Sequence, residues 1–258
     1  MSVMYAEERH EAIAGLVRQH GRVSVSEVAS TFGVTTETVR RDLAALERAG
    51  LLRRVHGGAV STTALALAEP ALDARDVANA AQKDRIARAA LELVPGAGGS
   101  VLLDAGTTTG RLAALLPTDR DLLVITHAVP LAARLAGCPG LTLHVVGGAV
   151  RGSTQAAVGA GTVAALSDLR ADVVFIGTNA LMPGHGLTTP NAEEAAVKRA
   201  LVRAGRQVVV LADSSKIGEE QLVRFAGLSE VDVLVTDDGI SGEHRSALEA
   251  DGVEVVTA

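Results

Sequence analysis

Aromatic side chains make up 2% of the chain, with one Tyr, three Phe and no Trp. A platform that stacks single-stranded bases needs several aromatic faces, so that mode of nucleic-acid binding is excluded. Cys138 is the single cysteine, which excludes an internal disulfide and any multi-cysteine zinc site. No Gly-Lys-Ser/Thr triplet occurs, so there is no Walker A loop. No apolar run approaches the length of about 18 residues expected of a membrane helix. Even Leu135–Val150 is interrupted by Gly, Pro and His. The start, Met1–Glu11, carries Glu7, Glu8, Arg9 and Glu11, which is unlike a signal peptide. These absences predict a soluble cytoplasmic protein with no membrane segment, no metal and no cofactor.

The 258 residues are 48% hydrophobic and 21% charged, a composition that supports a packed core and one large or two unequal domains. The net charge of −6 is unevenly spread. Residues 1–60 hold eight Arg against seven acids, so the rest of the chain carries the negative excess. Arg40, Arg41, Arg48, Arg53 and Arg54 form a cationic patch to which contact with a polyanion is confined.

The first 60 residues read as three helices and a hairpin. Ala6–Gln19 has Ile13, Leu16 and Val17 at helical spacing. Ser24 and Glu27 make a capping box for a short helix, Val25–Phe32, that stops at Gly33. Thr35 caps Thr36–Ala49, whose Val39, Leu43 and Leu46 share one face, and 51–60 reads as two short strands around a turn. A helix, a glycine-bounded turn and a helix that opens with small polar residues fit helix-turn-helix geometry. Thr35, Thr36, Glu37, Thr38, Arg40 and Arg41 then face the major groove of duplex DNA, and Arg53-Arg54 lies where a wing approaches the backbone. Glu37 and Asp42 are read as orienting the neighbouring arginines or accepting from cytosine. A protein-interaction module, with the arginines as a solvated face, is the alternative.

The run Phe32-Gly33-Val34-Thr35-Thr36-Glu37-Thr38-Val39-Arg40-Arg41-Asp42-Leu43, followed by Arg53-Arg54-Val55-His56-Gly57-Gly58-Ala59, resembles the winged helix-turn-helix of the DeoR family of bacterial repressors. The resemblance implies binding of double-stranded operator DNA by a homodimer or homotetramer, with His56 among the DNA contacts.

From Lys83 onward helix and strand candidates alternate, which predicts an α/β domain with a mostly parallel sheet and helices on both faces. The expected domains are 1–60, a partly helical linker at 61–79, and 80–258. Asp104-Ala105-Gly106-Thr107-Thr108-Thr109-Gly110 follows a strand and opens a helix. Such a turn aims amides at an anion, though ordinary capping by Thr107 or Thr108 reads equally well. Asn191 to Glu194 is a second capping box, with Lys198 spaced i,i+4 from Glu194. Asp213-Ser214-Ser215-Lys216 puts a carboxylate, two hydroxyls and a scarce lysine at a strand end; the chain has three Lys against 21 Arg.

These segments, with Val146-Gly147-Gly148, Phe175-Ile176-Gly177 and Gly186-Leu187-Thr188-Thr189, also resemble the DeoR family, in its sugar-phosphate sensor domain. That domain's fold is isomerase-like. The resemblance implies that Gly106, Thr107, Thr108 and Thr109 hold a phosphate. It also implies a sugar pocket of Asp104, Thr126, His127, Gly147, Gly148, Glu194, Lys198, Asp213 and Lys216. The run from Gly177 to Leu201 looks most like fructose-operon repressors of actinobacteria, which implies fructose 1-phosphate as effector. Two positions depart from the family: His127 stands where Asn is usual, and Ala180 where Gly is usual. An isomerase tethered to DNA and a structural nucleoid protein are the competing functions.

Overall fold

The computed structural model describes residues 6–20, 22–49, 51–55, 57–60 and 72–258. The chain divides into two compact units, Met1–Ala68 and Glu69–Ala258.

In the first unit, α1 (Ala6–His20), β1 (Arg22–Ser24), α2 (Val25–Phe32), α3 (Thr36–Arg48), β2 (Arg53–Val55) and β3 (Gly58–Val60) follow in order. The capping box forms: Ser24 Oγ accepts from the Glu27 amide at 3.1 Å, and the Glu27 carboxylate accepts from the Ser24 amide at 3.2 Å. Gly33 closes α2 at φ 63°, a backbone that side chains resist. The strand β1, which its three residues hid from any periodicity, completes an antiparallel sheet of order β1-β3-β2. A Cβ on Gly58 would lie 2.0 Å from the Val23 carbonyl, so the glycine lets β3 pair with β1. Ile13, Val17, Val28, Val39, Leu43, Leu46 and Leu52 close the core.

Asp42 does not join the DNA-facing groups as expected. It is buried on the same α3 face as Val39, Leu43 and Leu46. There its oxygens accept from Arg9 Nε at 2.6 Å and Arg9 Nη2 at 3.0 Å, and His10 Nε2 lies at 2.9 Å. This pins α1 to α3.

The second unit begins with α4 (Leu72–Val77), inside the stretch read as linker, and α5 (Ala80–Ala90). There follow β4 (Ser100–Leu103), α6 (Thr107–Ala113), β5 (Leu122–Thr126), α7 (Val129–Leu135), β6 (Leu141–Val145), β7 (Ala149–Arg151), β8 (Ala156–Val158) and α8 (Ala160–Ser167). The chain continues through β9 (Ala171–Gly177), β10 (Ala180–Met182), β11 (Gly186–Thr189), α9 (Ala192–Ala204), β12 (Gly205–Leu211), β13 (Val223–Ala226), β14 (Val233–Thr236), α10 (Gly242–Ala250) and β15 (Glu254–Thr257). Seven strands form a sheet in the order β15-β14-β12-β9-β4-β5-β6, with every neighbouring pair parallel. Strand alternation builds two cores. Leu102, Val174, Ile176 and Val210 face the layer of α8, α9 and α10, while Val101, Leu103, Phe175 and Val209 face α5, α6 and α7. The chain winds from β4 outward to β6, then returns to the other side of β4 as β9. The β4/β9 boundary is therefore the switch point, where α/β sheets open a crevice at the carboxyl ends of their strands.

The short antiparallel pieces, β7-β8 and β10-β11-β13, were not expected from the sequence. Ala180 fits its place without strain, because it opens β10 in register with Thr188 rather than occupying a left-handed turn.

Burial works to raise the Asp42 pKa, but the Arg9 and His10 hydrogen bonds outweigh it and hold the carboxyl below its ordinary 3.8. The pair's contribution to stability is thus full above pH 3.8 and is lost as pH falls below it. Asp42→Ala should destabilise the N-terminal unit by about 1.5–3 kcal/mol in urea denaturation near neutral pH, and the deficit should shrink on acidification.

Candidate functional site

The exposed side of α3 carries Thr36, Glu37, Arg40 and Arg41. Thr35 caps the helix: its Oγ1 accepts from the Thr38 amide at 3.2 Å and lies 2.9 Å from the Thr38 hydroxyl. Both hydroxyls are thereby turned to the helix start. Glu37 stands 3.7 Å from Arg40 and 3.6 Å from Arg41, with all three side chains more than half exposed. Such pairs are worth little, so the arginines exchange a carboxylate for a phosphate or a guanine edge at small cost. Arg53 and Arg54 lie in β2. His56 lies outside the described residues.

In the second unit the polar groups gather at the switch point. Asp104 ends β4 and is 1% exposed. Its Oδ2 accepts from Lys198 Nζ and from the Gly177 amide at 3.0 Å. Lys198, on α9, also donates to the Gly177 carbonyl at 2.8 Å and stands 5.3 Å from the Phe225 ring centre. One lysine thus ties the end of β4 to the end of β9. Burial drives the Asp104 pKa up, but Lys198 first and His127 second more than reverse this, and the carboxyl stands at about 2. His127 Nε2 lies 3.3 Å from Asp104 Oδ1, and Nδ1 lies 2.9 Å from the Ala157 carbonyl. Both ring nitrogens face oxygen atoms.

Glu194 lies one helical turn before Lys198. Asn191 caps α9 by accepting from the Glu193 and Glu194 amides at 3.0 Å each. The Glu194 carboxylate does not return to Asn191 or reach Lys198, as the expected capping box and i,i+4 pair require. It accepts from Arg151 and, at 2.6 Å, from Thr154. Arg151 is a site residue that the sequence reading missed. Its signal was isolation, since it is the one Arg, Lys, Asp or Glu between Arg134 and Asp168. Asp213 is buried at the end of β12, where its Oδ1 accepts from Asn79 at 2.9 Å and from the Ser215 amide at 3.2 Å. Lys216 is half-buried on the following turn.

Four expected ligand positions make contacts within the protein itself. Thr109 Oγ1 donates to the carbonyls of Asp104 at 2.8 Å and Gly106 at 2.9 Å, which tightens the loop from within. Thr126 Oγ1 donates to the Leu103 carbonyl at 2.9 Å and accepts from the Ala128 amide at 3.1 Å. Gly147 and Gly148 pack on α8: Thr162 donates to the Gly147 carbonyl at 2.9 Å, and a Cβ on Gly148 would meet the Thr162 hydroxyl at 2.0 Å. At α6 the N-cap is Gly106 in extended conformation with no side-chain cap, so capping by Thr107 or Thr108 is not what the loop does.

Beside this loop opens a cavity of about 530 Å³, a size suited to a small ligand. Gly106, Thr107, Arg111, Arg134 and Thr154 are among its walls. Among the described residues no cluster of His, Cys, Asp and Glu is placed to hold a metal, and no helix is long and apolar enough to cross a membrane.

Residues 9–64 match the DeoR-like helix-turn-helix domain, and residues 78–238 match the DeoR C terminal sensor domain. The chain is 38% identical over 254 residues to the HTH-type transcriptional regulator GlpR of Haloferax volcanii, covering 98% of each. It is 31% identical over 234 residues to the glycerol-3-phosphate regulon repressor of Escherichia coli, covering 91% of this chain and 92% of that one. The solved ribose 5-phosphate isomerase A of Methanocaldococcus jannaschii shares 19% identity over 54% of this chain and 55% of its own, with a TM-score of 0.39.

Lys198→Met should cost about 3–5 kcal/mol of stability in urea denaturation, because it leaves the Asp104 carboxylate buried without its cation. Adding Asp104→Asn to that variant should recover most of the loss. Additive losses would show that the two side chains do not act as a pair.

Proposed function

The chain belongs to the DeoR family of DNA-binding transcriptional repressors, and from that premise we propose that it leaves its operator when a phosphorylated sugar, fructose 1-phosphate, fills the cavity beside Thr107. The protein acts in the cytoplasm as a homodimer or homotetramer on paired half-sites, with α3 in the major groove. The observation that carries the ligand reading is the crevice itself. Uncapped amides at the start of α6 border the cavity, and Thr154 of its wall donates to the buried Glu194 carboxylate. Gly106, Thr107 and Thr108 take the phosphate, and Asp104, His127, Glu194, Lys198, Asp213 and Lys216, none of which is in the cavity wall of this structure, support the sugar end. The name of the glycerol-3-phosphate relative supports a phosphorylated polyol as the class of ligand. The fructose assignment rests on the run from Gly177 to Leu201.

Binding rather than turnover is the role these groups suit. A general base works best with a pKa near the operating pH. Asp104 is held at about 2 by Lys198 and His127, which favours a fixed acceptor over a proton carrier.

Arg41→Ala should weaken operator binding in fluorescence anisotropy and lower its salt dependence, while fructose 1-phosphate binding stays as in the parent. Operator affinity equal to the parent's would remove α3 from the interface. Thr107→Val should do the reverse, keeping the operator and losing the sugar response. In thermal denaturation, fructose 1-phosphate should raise the parent's melting temperature by mass action and leave that of Thr107→Val unchanged.

A further inference from the structure

The cavity has a second wall, formed by α4, with Leu72, Asp73 and Asp76 facing it. None of the residues of α4 is buried. A six-residue helix without a packed face has little stability of its own. Polar clamps hold it instead. Lys83, itself buried, donates to the carbonyls of Arg75 and, at 2.7 Å, Ala78. Asn79 anchors the next turn to Asp213 at 2.9 Å. The third clamp is Arg111 of α6. Its Nη1 reaches the Asp76 carboxylate, and its Nη2 donates to the Asp76 carbonyl at 2.9 Å. Its Nε donates to Asp84 of α5 at 2.8 Å, and Nη1 also reaches the Thr107 carbonyl at 3.3 Å. One guanidinium therefore joins α4, α5 and the first turn of α6.

Arg111 also faces the cavity, next to Thr107. An anion seated there meets a cation already engaged by Asp76, and meets Asp73 and Asp76 as like charges in the cavity wall. A phosphate dianion offers a guanidinium two oxygens in fork geometry and twice the charge of a carboxylate. The Asp76 carboxylate is 56% exposed and is the weaker competitor.

We propose that Arg111 is a shared anion ligand, held by Asp76 in this structure and claimed by the phosphate of the effector, so that ligand binding unfastens α4. This rests on the cavity being the effector site. Asp76 is then a built-in competitor that sets effector affinity. Its displacement loosens the first described element after residues 61–71, the stretch of chain that leads from the DNA-binding unit. A local exchange of partners on one arginine thereby reaches the operator-binding end through the chain.

The test uses full-length protein and three readouts: calorimetric titration with fructose 1-phosphate and with inorganic phosphate, operator affinity by anisotropy, and hydrogen exchange of residues 72–79. Asp76→Asn keeps the shape of the side chain and removes its charge. It should bind fructose 1-phosphate about fivefold or more tightly than the parent and hold the operator correspondingly less well without ligand. In the parent, fructose 1-phosphate should speed exchange across 72–79. The inference alone is overturned if the parent binds fructose 1-phosphate but Asp76→Asn binds it no better, if its operator affinity equals the parent's, or if exchange at 72–79 slows. If the parent binds neither fructose 1-phosphate nor inorganic phosphate, the effector reading falls and this inference falls with it.

Discussion

The second unit depends on one buried ion pair. Asp104 and Lys198 come from opposite sides of the switch point, 94 residues apart in the chain, and meet where water is excluded. Neither charge is stable there alone, since a lone buried ion is strongly destabilising. Together they tie the end of β4 to the end of β9, and the Gly177 amide and His127 complete the shell around the carboxylate. Around that fixed centre stand the Glu194–Arg151–Thr154 group, the Asp213–Asn79–Ser215 group and the loop that opens α6. A binding site needs such a centre because its donors and acceptors must be held in place before the ligand arrives.

The two units use their charges for opposite ends. On α3 the arginines are exposed and loosely paired, which suits a surface that changes partners. In the crevice the charges are buried and tightly paired, which suits a surface that selects one partner. Asp42 belongs to neither class. Its sequence position beside Arg40 and Arg41 suggests the DNA face, yet it stands three residues from Val39 and four from Leu46, on the buried face of the same helix. Helical periodicity outweighs adjacency, and the carboxylate fastens α1 instead.

Local signals made much of the fold legible. The caps at Ser24, Thr35 and Asn191 mark the starts of α2, α3 and α9, and the β-branched runs mark the central strands. The short antiparallel strands were not legible, because three or four residues carry no usable period and their partners are distant, as with Leu187 and Ala226. The site divides the same way. Asp104 and Asp213 stood out as carboxylates at strand ends, and Lys198 as a scarce lysine spaced i,i+4 from Glu194. Arg151, Arg111 and Asn79 did not, because their partners lie 43, 35 and 134 residues away. The backbone bonds of the Thr109 and Thr126 hydroxyls were not legible either, since a hydroxyl facing its own backbone looks, in sequence, like one facing a ligand.

The central claim is that filling the crevice weakens the grip on DNA. The most direct measurement is the affinity of the full-length protein for an operator fragment that it selects itself, with and without saturating fructose 1-phosphate, and with fructose as the control. The account predicts a weakening within the range of about 5–150-fold for the phosphorylated sugar and none for fructose. An operator affinity that stays constant with both, while fructose 1-phosphate is seen to bind, would contradict it.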